Sequence, residues 1–174
     1  MKIVVMGAGS WGTTVAKVIA DGGNEVVLWS RRKDLADEIN ETSRNGDYLP
    51  GVDLPKTLTA TSNLQAALVN ATQVYIAIPS QSLRETLGEW KELIPESATV
   101  ISLMKGLEQS TGARMSEVIH QATNVPASQI AVLSGPNLAL EIARRDPAAA
   151  VCACENQDRA IEVAKVCSNQ YFTV

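Results

Sequence analysis

The chain has 174 residues, of which 45% are hydrophobic and 20% charged. That is the balance of an ordinary globular domain with one sizeable core. The formal net charge of −4 argues against nucleic acid as a partner and gives a phosphate-bearing ligand no help from the overall field. Any anion site must therefore be built locally, from backbone amides or a few placed cations. No apolar run approaches the roughly 18 residues of a membrane span, and with no targeting segment the expected compartment is the cytoplasm.

Strand-like and helix-like segments alternate from the first residue. Residues 2–6 (KIVVM) are apolar and β-branched, and the glycines and tryptophan that interrupt them at once mark a strand rather than a signal peptide. A helix runs from the glycine loop to about Asp21, where Gly22-Gly23-Asn24 stops it. Residues 25–30 read as a second strand and 33–42 as a charged helix. Residues 43–55 (SRNGDYLPGVDLP) are irregular, and a loop of this length is more often functional than idle. The expected elements then become regular: strand 58–61, helix 63–69, strand 74–78, helix 80–93, strand 98–104 and helix 113–122. Strand 130–134, helix 137–145, strand 148–154, helix 157–167 and a last strand at 171–174 complete the pattern. The middle strands are continuous apolar runs, as expected when helices cover both faces. The fold class is α/β: a Rossmann-type, doubly wound, mostly parallel sheet with helices on both faces, and residues 1–174 form one dinucleotide-binding domain.

Between the first strand and first helix lies Gly7-Ala8-Gly9-Ser10-Trp11-Gly12. The G-x-G-x-x-G spacing gains its specificity from that strand–loop–helix context. Gly7 permits the tight turn, Gly9 lets backbone approach a pyrophosphate, and Gly12 lets the helix pack on the strand. Ser10 and Trp11 sit at the helix amino end, where unpaired amides and the dipole favour an anion.

An NAD site usually carries Asp or Glu at the end of the second strand for the ribose 2′-hydroxyl. Here that place is Ser30-Arg31-Arg32, with no carboxylate before Asp34. Guanidinium groups take a 2′-phosphate bidentately, so the expected cofactor is NADP, with Arg31 and Arg32 as clamp and Ser30 as a donor. Arginine also stacks on adenine, which keeps NAD open. At the ends of the later strands stand Pro79-Ser80-Gln81, Lys105-Gly106 and Gly135-Pro136-Asn137. Lys105 is a lone cation after a buried strand, suited to a substrate phosphate or hydroxyl or to the nicotinamide ribose. Asn137 reads as a helix N-cap that can also face a ligand.

The three cysteines have neither metal-ligand nor redox spacing, and are expected as small buried apolar groups, Cys152 and Cys154 on one strand face. His120, the single histidine, falls inside a helix away from every strand end and is expected to play no catalytic part.

Together, Gly7 to Thr14, Asn45-Gly46-Asp47-Tyr48-Leu49-Pro50, Leu54-Pro55 with Ala60-Thr61, Ile78-Pro79-Ser80-Gln81, Lys105-Gly106-Leu107-Glu108, Leu133 to Asn137 and Pro147 to Val151 resemble the NAD(P)-dependent glycerol-3-phosphate dehydrogenases. The resemblance implies reversible hydride transfer between NAD(P)H and dihydroxyacetone phosphate, supplying glycerophospholipid synthesis. It places Ser10, Trp11, Arg31, Arg32, Tyr48 and Ala139 near the cofactor, Lys105 against cofactor and substrate, and Gly135 and Asn137 on the substrate side. Asn137 stands where bacterial members often carry Ser or Thr. The family's helical C-terminal domain, with its general acid/base lysine, is not among these residues. The isolated chain is therefore expected to bind cofactor without turnover, and the full-length enzyme to form a homodimer. Two other readings remain: a stand-alone, non-catalytic NADP-binding sensor or partner-binding module, and a ketopantoate-like reductase. The Lys105 and Asn137 motifs argue against the reductase.

Overall fold

Side chains alternate along β1 (Ile3–Met6) so that Ile3 and Val5 join one apolar cluster while Val4 and Met6 join another, and all four are buried. A strand covered on both faces belongs at the middle of a layered α/β domain. The computed structural model describes residues 1–174 and bears this out. After β1 come α1 (Ser10–Asp21), β2 (Val26–Trp29), α2 (Lys33–Thr42), β3 (Leu58–Thr61), α3 (Leu64–Leu68) and β4 (Gln73–Ile76). Next are α4 (Leu83–Trp90), β5 (Thr99–Ser102), α5 (Met115–Thr123), β6 (Ile130–Ser134) and α6 (Ala139–Ala143). The chain closes with β7 (Ala148–Ala149), β8 (Val151–Cys154), α7 (Gln157–Cys167) and β9 (Phe172–Thr173).

Seven strands form the main sheet in the order β3-β2-β1-β4-β5-β6-β8. All neighbours are parallel except β6 and β8. Val5 lies between Leu28 and Tyr75 at its centre. The larger cluster packs α1, α2, α6 and α7 on one face, and the smaller packs α3, α4 and α5 on the other. Strand order reverses between β1 and β4, and in such sheets the ligand crevice opens there, outside the carboxyl ends of the strands. The Rossmann-type expectation holds.

Several boundaries shift. The ladder of β4 stops at Ile76 and that of β5 at Ser102; the apolar residues beyond them lead into the rim, with Leu103 still buried in the larger core. The helix expected at 80–93 is α4 between two short 3₁₀ turns, 80–82 and 91–93. The strand expected at 148–154 breaks at Ala150. Ala148 and Ala149 pair with β9, and β8 turns to run antiparallel to β6. Of the cysteines, Cys167 is buried, and burial pushes its thiol up to about 12. Cys152 and Cys154 share one face of β8 but remain half-buried, because β8 is an edge strand. The irregular segment 43–55 is folded back on the domain, with Leu49, Val52 and Leu54 in the larger core and an antiparallel bridge between Arg44 and Asp53.

Candidate functional site

Everything at the rim is referred to the amino end of α1. Gly7 has φ +122°, and a Cβ there would lie 2.4 Å from the Ala77 carbonyl oxygen. A Cβ on Gly12 would lie 1.9 Å from the Gly7 carbonyl oxygen, so only glycine lets α1 rise so close to β1. Above Gly9 nothing lies within 4 Å. No side chain caps α1 and its first turn carries no acid, leaving the amino end open to an anion. Side chains from this end tie down three neighbours. Ser10 Oγ donates to the Tyr48 carbonyl (2.6 Å), Trp11 Nε1 to that of Leu103 (3.2 Å), and Thr14 Oγ1 to that of Ala139 (3.1 Å).

At the β2 end, Ser30 is buried and its Oγ accepts from the Arg32 amide (3.2 Å). Arg31 is exposed. Arg32 is half-exposed and held by two carboxylates: Asp34 on Nε and Nη2, and Asp47 on Nη1. The geometry thus gives one free guanidinium and one already paired, which raises the Arg32 pKa above its ordinary value. Tyr48, 43% exposed, stands over this end. Its position follows from Asn45, which is wholly buried. Asn45 Nδ2 donates to the Ala8 carbonyl (2.9 Å) and Thr13 Oγ1 (2.8 Å), and its Oδ1 accepts from the Tyr48 amide (3.2 Å). One side chain thereby clips segment 43–55 to the glycine loop, a role that sequence reasoning missed. An Asn-Gly step inside a long apolar-studded loop was its only signal.

Beyond the glycine loop the rim encloses a cleft of about 360 Å³ whose lining includes Trp11, Ala77, Ser80, Met104, Lys105, Asn137 and Ala139. The Lys105 ammonium donates to the Gly135 carbonyl, which also accepts from the Asn137 amide (2.9 Å). Gly135 is a glycine of necessity: a Cβ would lie 2.6 Å from the Ala149 carbonyl oxygen and 3.1 Å from Asn137 Nδ2. Asn137 is not the helix cap expected of it. α6 begins two residues later with Leu138 as its N-cap, and both Asn137 Nδ2 and Oδ1 are buried without a partner.

The loop bearing Lys105 is itself anchored. Gln81 Nε2 donates to the Leu107 carbonyl (2.9 Å) and its Oε1 accepts from the Gln109 amide (3.0 Å). Arg84 grips Glu108 through two bonds of 2.8 Å, and Thr111 adds a third. Hydrogen bonds from Arg84 and Thr111 hold the Glu108 carboxyl at about 2. His120 lies exposed on α5, its Nδ1 on the Val125 carbonyl, away from the cleft. No three His, Cys, Asp or Glu side chains are grouped as a metal site would need.

The predicted residues therefore gather at two stations along one rim. Arg31, Arg32 and Tyr48 stand by β2; Trp11, Lys105, Gly135, Asn137 and Ala139 stand by β4 to β6, with Gly7, Gly9, Ser10 and Gly12 between. An uncapped helix end over an open glycine, flanked by guanidinium groups on one side and an ammonium with an unpartnered amide on the other, fits a dinucleotide.

Residues 2–160 match the family model described as the NAD-dependent glycerol-3-phosphate dehydrogenase N-terminus. The chain belongs to that family. It is 54% identical over 172 residues to the glycerol-3-phosphate dehydrogenase [NAD(P)+] of Corynebacterium glutamicum, covering 99% of this chain and 52% of the relative. It is likewise 54% identical over 168 residues to that of Leifsonia xyli subsp. xyli, covering 97% and 46%. Among solved structures, glycerol-3-phosphate dehydrogenase from Coxiella burnetii superposes with a TM-score of 0.91 at 35% identity, covering 99% of this chain and 52% of that one. The chain thus spans about half the length of the curated glycerol-3-phosphate dehydrogenases it matches.

Proposed function

We propose that residues 1–174 are the cofactor-binding domain of an oxidoreductase that interconverts dihydroxyacetone phosphate and sn-glycerol 3-phosphate, with NADPH preferred and NADH admitted. The observation that carries this reading is the open amino end of α1 at the strand-order reversal, with Lys105 and the unpartnered Asn137 amide in the cleft beside it. In this reading the pyrophosphate lies over Gly9, against the first amides of α1. Arg31 and Arg32 take the ribose 2′-phosphate, Tyr48 covers the adenosine end, and Trp11 and Ala139 flank the nicotinamide half.

When bound, the reduced nicotinamide supplies the hydride. The residues of this chain position the ketone. An ammonium has three N–H donors; one of Lys105's is spent on Gly135, leaving two for a phosphate or hydroxyl oxygen. Asn137 has no partner within the chain for its side-chain amide, which leaves one donor side and one acceptor side for a polyol. Ala77, Ile78, Leu103 and Met104 give the cleft an apolar side. The proton for the developing alkoxide comes, by the family resemblance, from the lysine of the helical second domain. No helix is long and apolar enough to cross a membrane. With three free thiols, this supports a cytoplasmic setting, where the product would feed glycerophospholipid synthesis.

The test is a tryptophan-fluorescence titration of the chain with NADPH and NADH, since Trp11 lines the cleft. Both dinucleotides should bind, and Arg31→Ala should weaken NADPH about tenfold or more while leaving NADH nearly unchanged. Lys105→Ala should weaken both alike. Turnover of dihydroxyacetone phosphate by the 174 residues alone should be negligible. Failure of both dinucleotides to bind, or substantial turnover abolished by Lys105→Ala, would overturn the corresponding part of the proposal.

A further inference from the structure

The two arginines at the end of β2 are unequal. Arg31 is exposed and forms no ion pair, whereas Arg32 is engaged by Asp34 and, across fifteen residues of sequence, by Asp47. Asp34 belongs to the first turn of α2, where an acid also suits the helix dipole. Asp47 has no such local duty. It is brought to Arg32 by the clipped segment: Asn45 receives the Tyr48 amide on one side of it, and the Tyr48 carbonyl receives Ser10 Oγ. The two guanidinium charges and two carboxylates at this end sum to zero. A 2′-phosphate carrying nearly two negative charges must displace Asp47 from Arg32 or bind beside it, against like charge. A ribose 2′-hydroxyl meets the opposite situation, because a carboxylate is the group that accepts it in NAD sites.

We propose that Asp47 is a specificity-determining residue of the dinucleotide site: by occupying Arg32 it leaves Arg31 as the primary 2′-phosphate ligand, lowers affinity for NADPH, and offers an acceptor to the 2′-hydroxyl of NADH. The acid missing from the end of β2 is supplied instead from segment 43–55, at the Nη1 edge of the Arg32 guanidinium. This assignment rests on the cofactor reading above. Asp47 and Arg32 are each about half exposed, 48% and 46% by side chain, so water and salt screen their pairing and the effect is a few-fold rather than a switch.

The experiment measures dissociation constants of NADPH and NADH by isothermal titration calorimetry at low ionic strength, on the 174-residue chain and on Asp47→Asn. Adenosine 2′,5′-bisphosphate and 5′-AMP serve as probes of the adenosine half alone. Asp47→Asn should tighten NADPH and adenosine 2′,5′-bisphosphate by about two- to fivefold and leave NADH unchanged or weaker. The NADPH-to-NADH preference then rises about two- to tenfold, and the gain shrinks as salt is added. In the Asp47→Asn background, Arg32→Ala should cost more NADPH affinity than it does in the parent chain, the mark of coupling between the two residues. An unchanged preference overturns the proposal. A lowered one also does, since Asp47 would then be orienting Arg32 toward the phosphate. Either result with normal NADPH and NADH binding leaves the cofactor reading intact; no binding of any of the four probes removes both.

Discussion

Asn45 and Asn137 stand toward opposite ends of the rim, and both bury their side-chain amides. Asn45 has both amide hydrogens and its oxygen partnered, with the glycine loop and Thr13 on its amide nitrogen and the Tyr48 amide on its oxygen. Asn137 has neither atom partnered, although its backbone amide is bonded to Gly135. A buried amide without partners carries a desolvation cost of about 1–3 kcal/mol. At Asn45 that cost is offset within the fold, and the residue acts as architecture. At Asn137 no group of the chain offsets it. The β2 end is thus satisfied within the fold, while at the β6 end the Asn137 amide has no partner in the chain, the place that the proposed reading gives to a ligand.

The sharpest way to break this contrast is Asn45→Ala. It strands the Ala8 carbonyl and the Tyr48 amide and frees segment 43–55, so urea unfolding should show a loss of about 2–3 kcal/mol with the m-value unchanged. A loss below about 0.5 kcal/mol would return Asn45 to the level of an ordinary polar loop residue.

The β5 end offers a second test, because there an ion pair joins the Gln81 amide in holding the loop. Arg84 and Thr111 keep the Glu108 carboxyl at about 2, below its ordinary 4.5. A depressed carboxylate stabilises the fold above the unfolded-state value, and that contribution disappears as pH falls through the folded-state value. The stability difference between the parent chain and Glu108→Gln should therefore be constant above about pH 5 and vanish between about 4.5 and 2. A difference independent of pH would mean that packing, not ionisation, anchors the Lys105 loop.

The smallest effect belongs to Asn137→Ala. Removing an unsatisfied amide should leave stability within about 0.5 kcal/mol of the parent or raise it by up to about 1 kcal/mol. A destabilisation as large as that of Asn45→Ala would erase the distinction.

The glycine loop was legible because its physics is local. A buried strand, a spaced set of glycines and a helix leave few alternatives, and the same holds for the parallel sheet implied by unbroken apolar strands. Strand ends were less legible, since Ala77 and Ile78 remain apolar after the ladder has stopped at Ile76; hydropathy does not report where pairing ends. In the small-residue run 148–154 no side chain marks the change of partner at Ala150, which depends on β9 arriving from the end of the chain. Asn137 looked like a cap because Asn after a strand usually is one, yet the helix starts beyond it. Arg32 was legible as a cation but not as a paired one: Asp34 is visible at short range, whereas Asp47 reaches it only through the folding of a loop. What sequence does not display, in each case, is a polar partner chosen by tertiary approach.

The surroundings of Lys17 bear on how the chain is made. Its side chain is 5% exposed, in α1, paired with Asp21 at 9%. Burial alone would raise the Asp21 carboxyl, but hydrogen bonds from Lys17, Tyr171 and Arg145 outweigh it and keep the pKa low. Asn169 reaches back as well, to the Val18 carbonyl. A polypeptide growing from its amino end makes the α1 segment early, but Arg145 and Tyr171, which help settle Asp21, lie 124 and 150 residues downstream of it. On the ribosome, the helix that presents the anion seat must therefore wait, with an unfinished polar flank, for a segment some 150 residues downstream. Such closure between segments far apart in sequence favours cooperative completion over stepwise folding from the amino terminus.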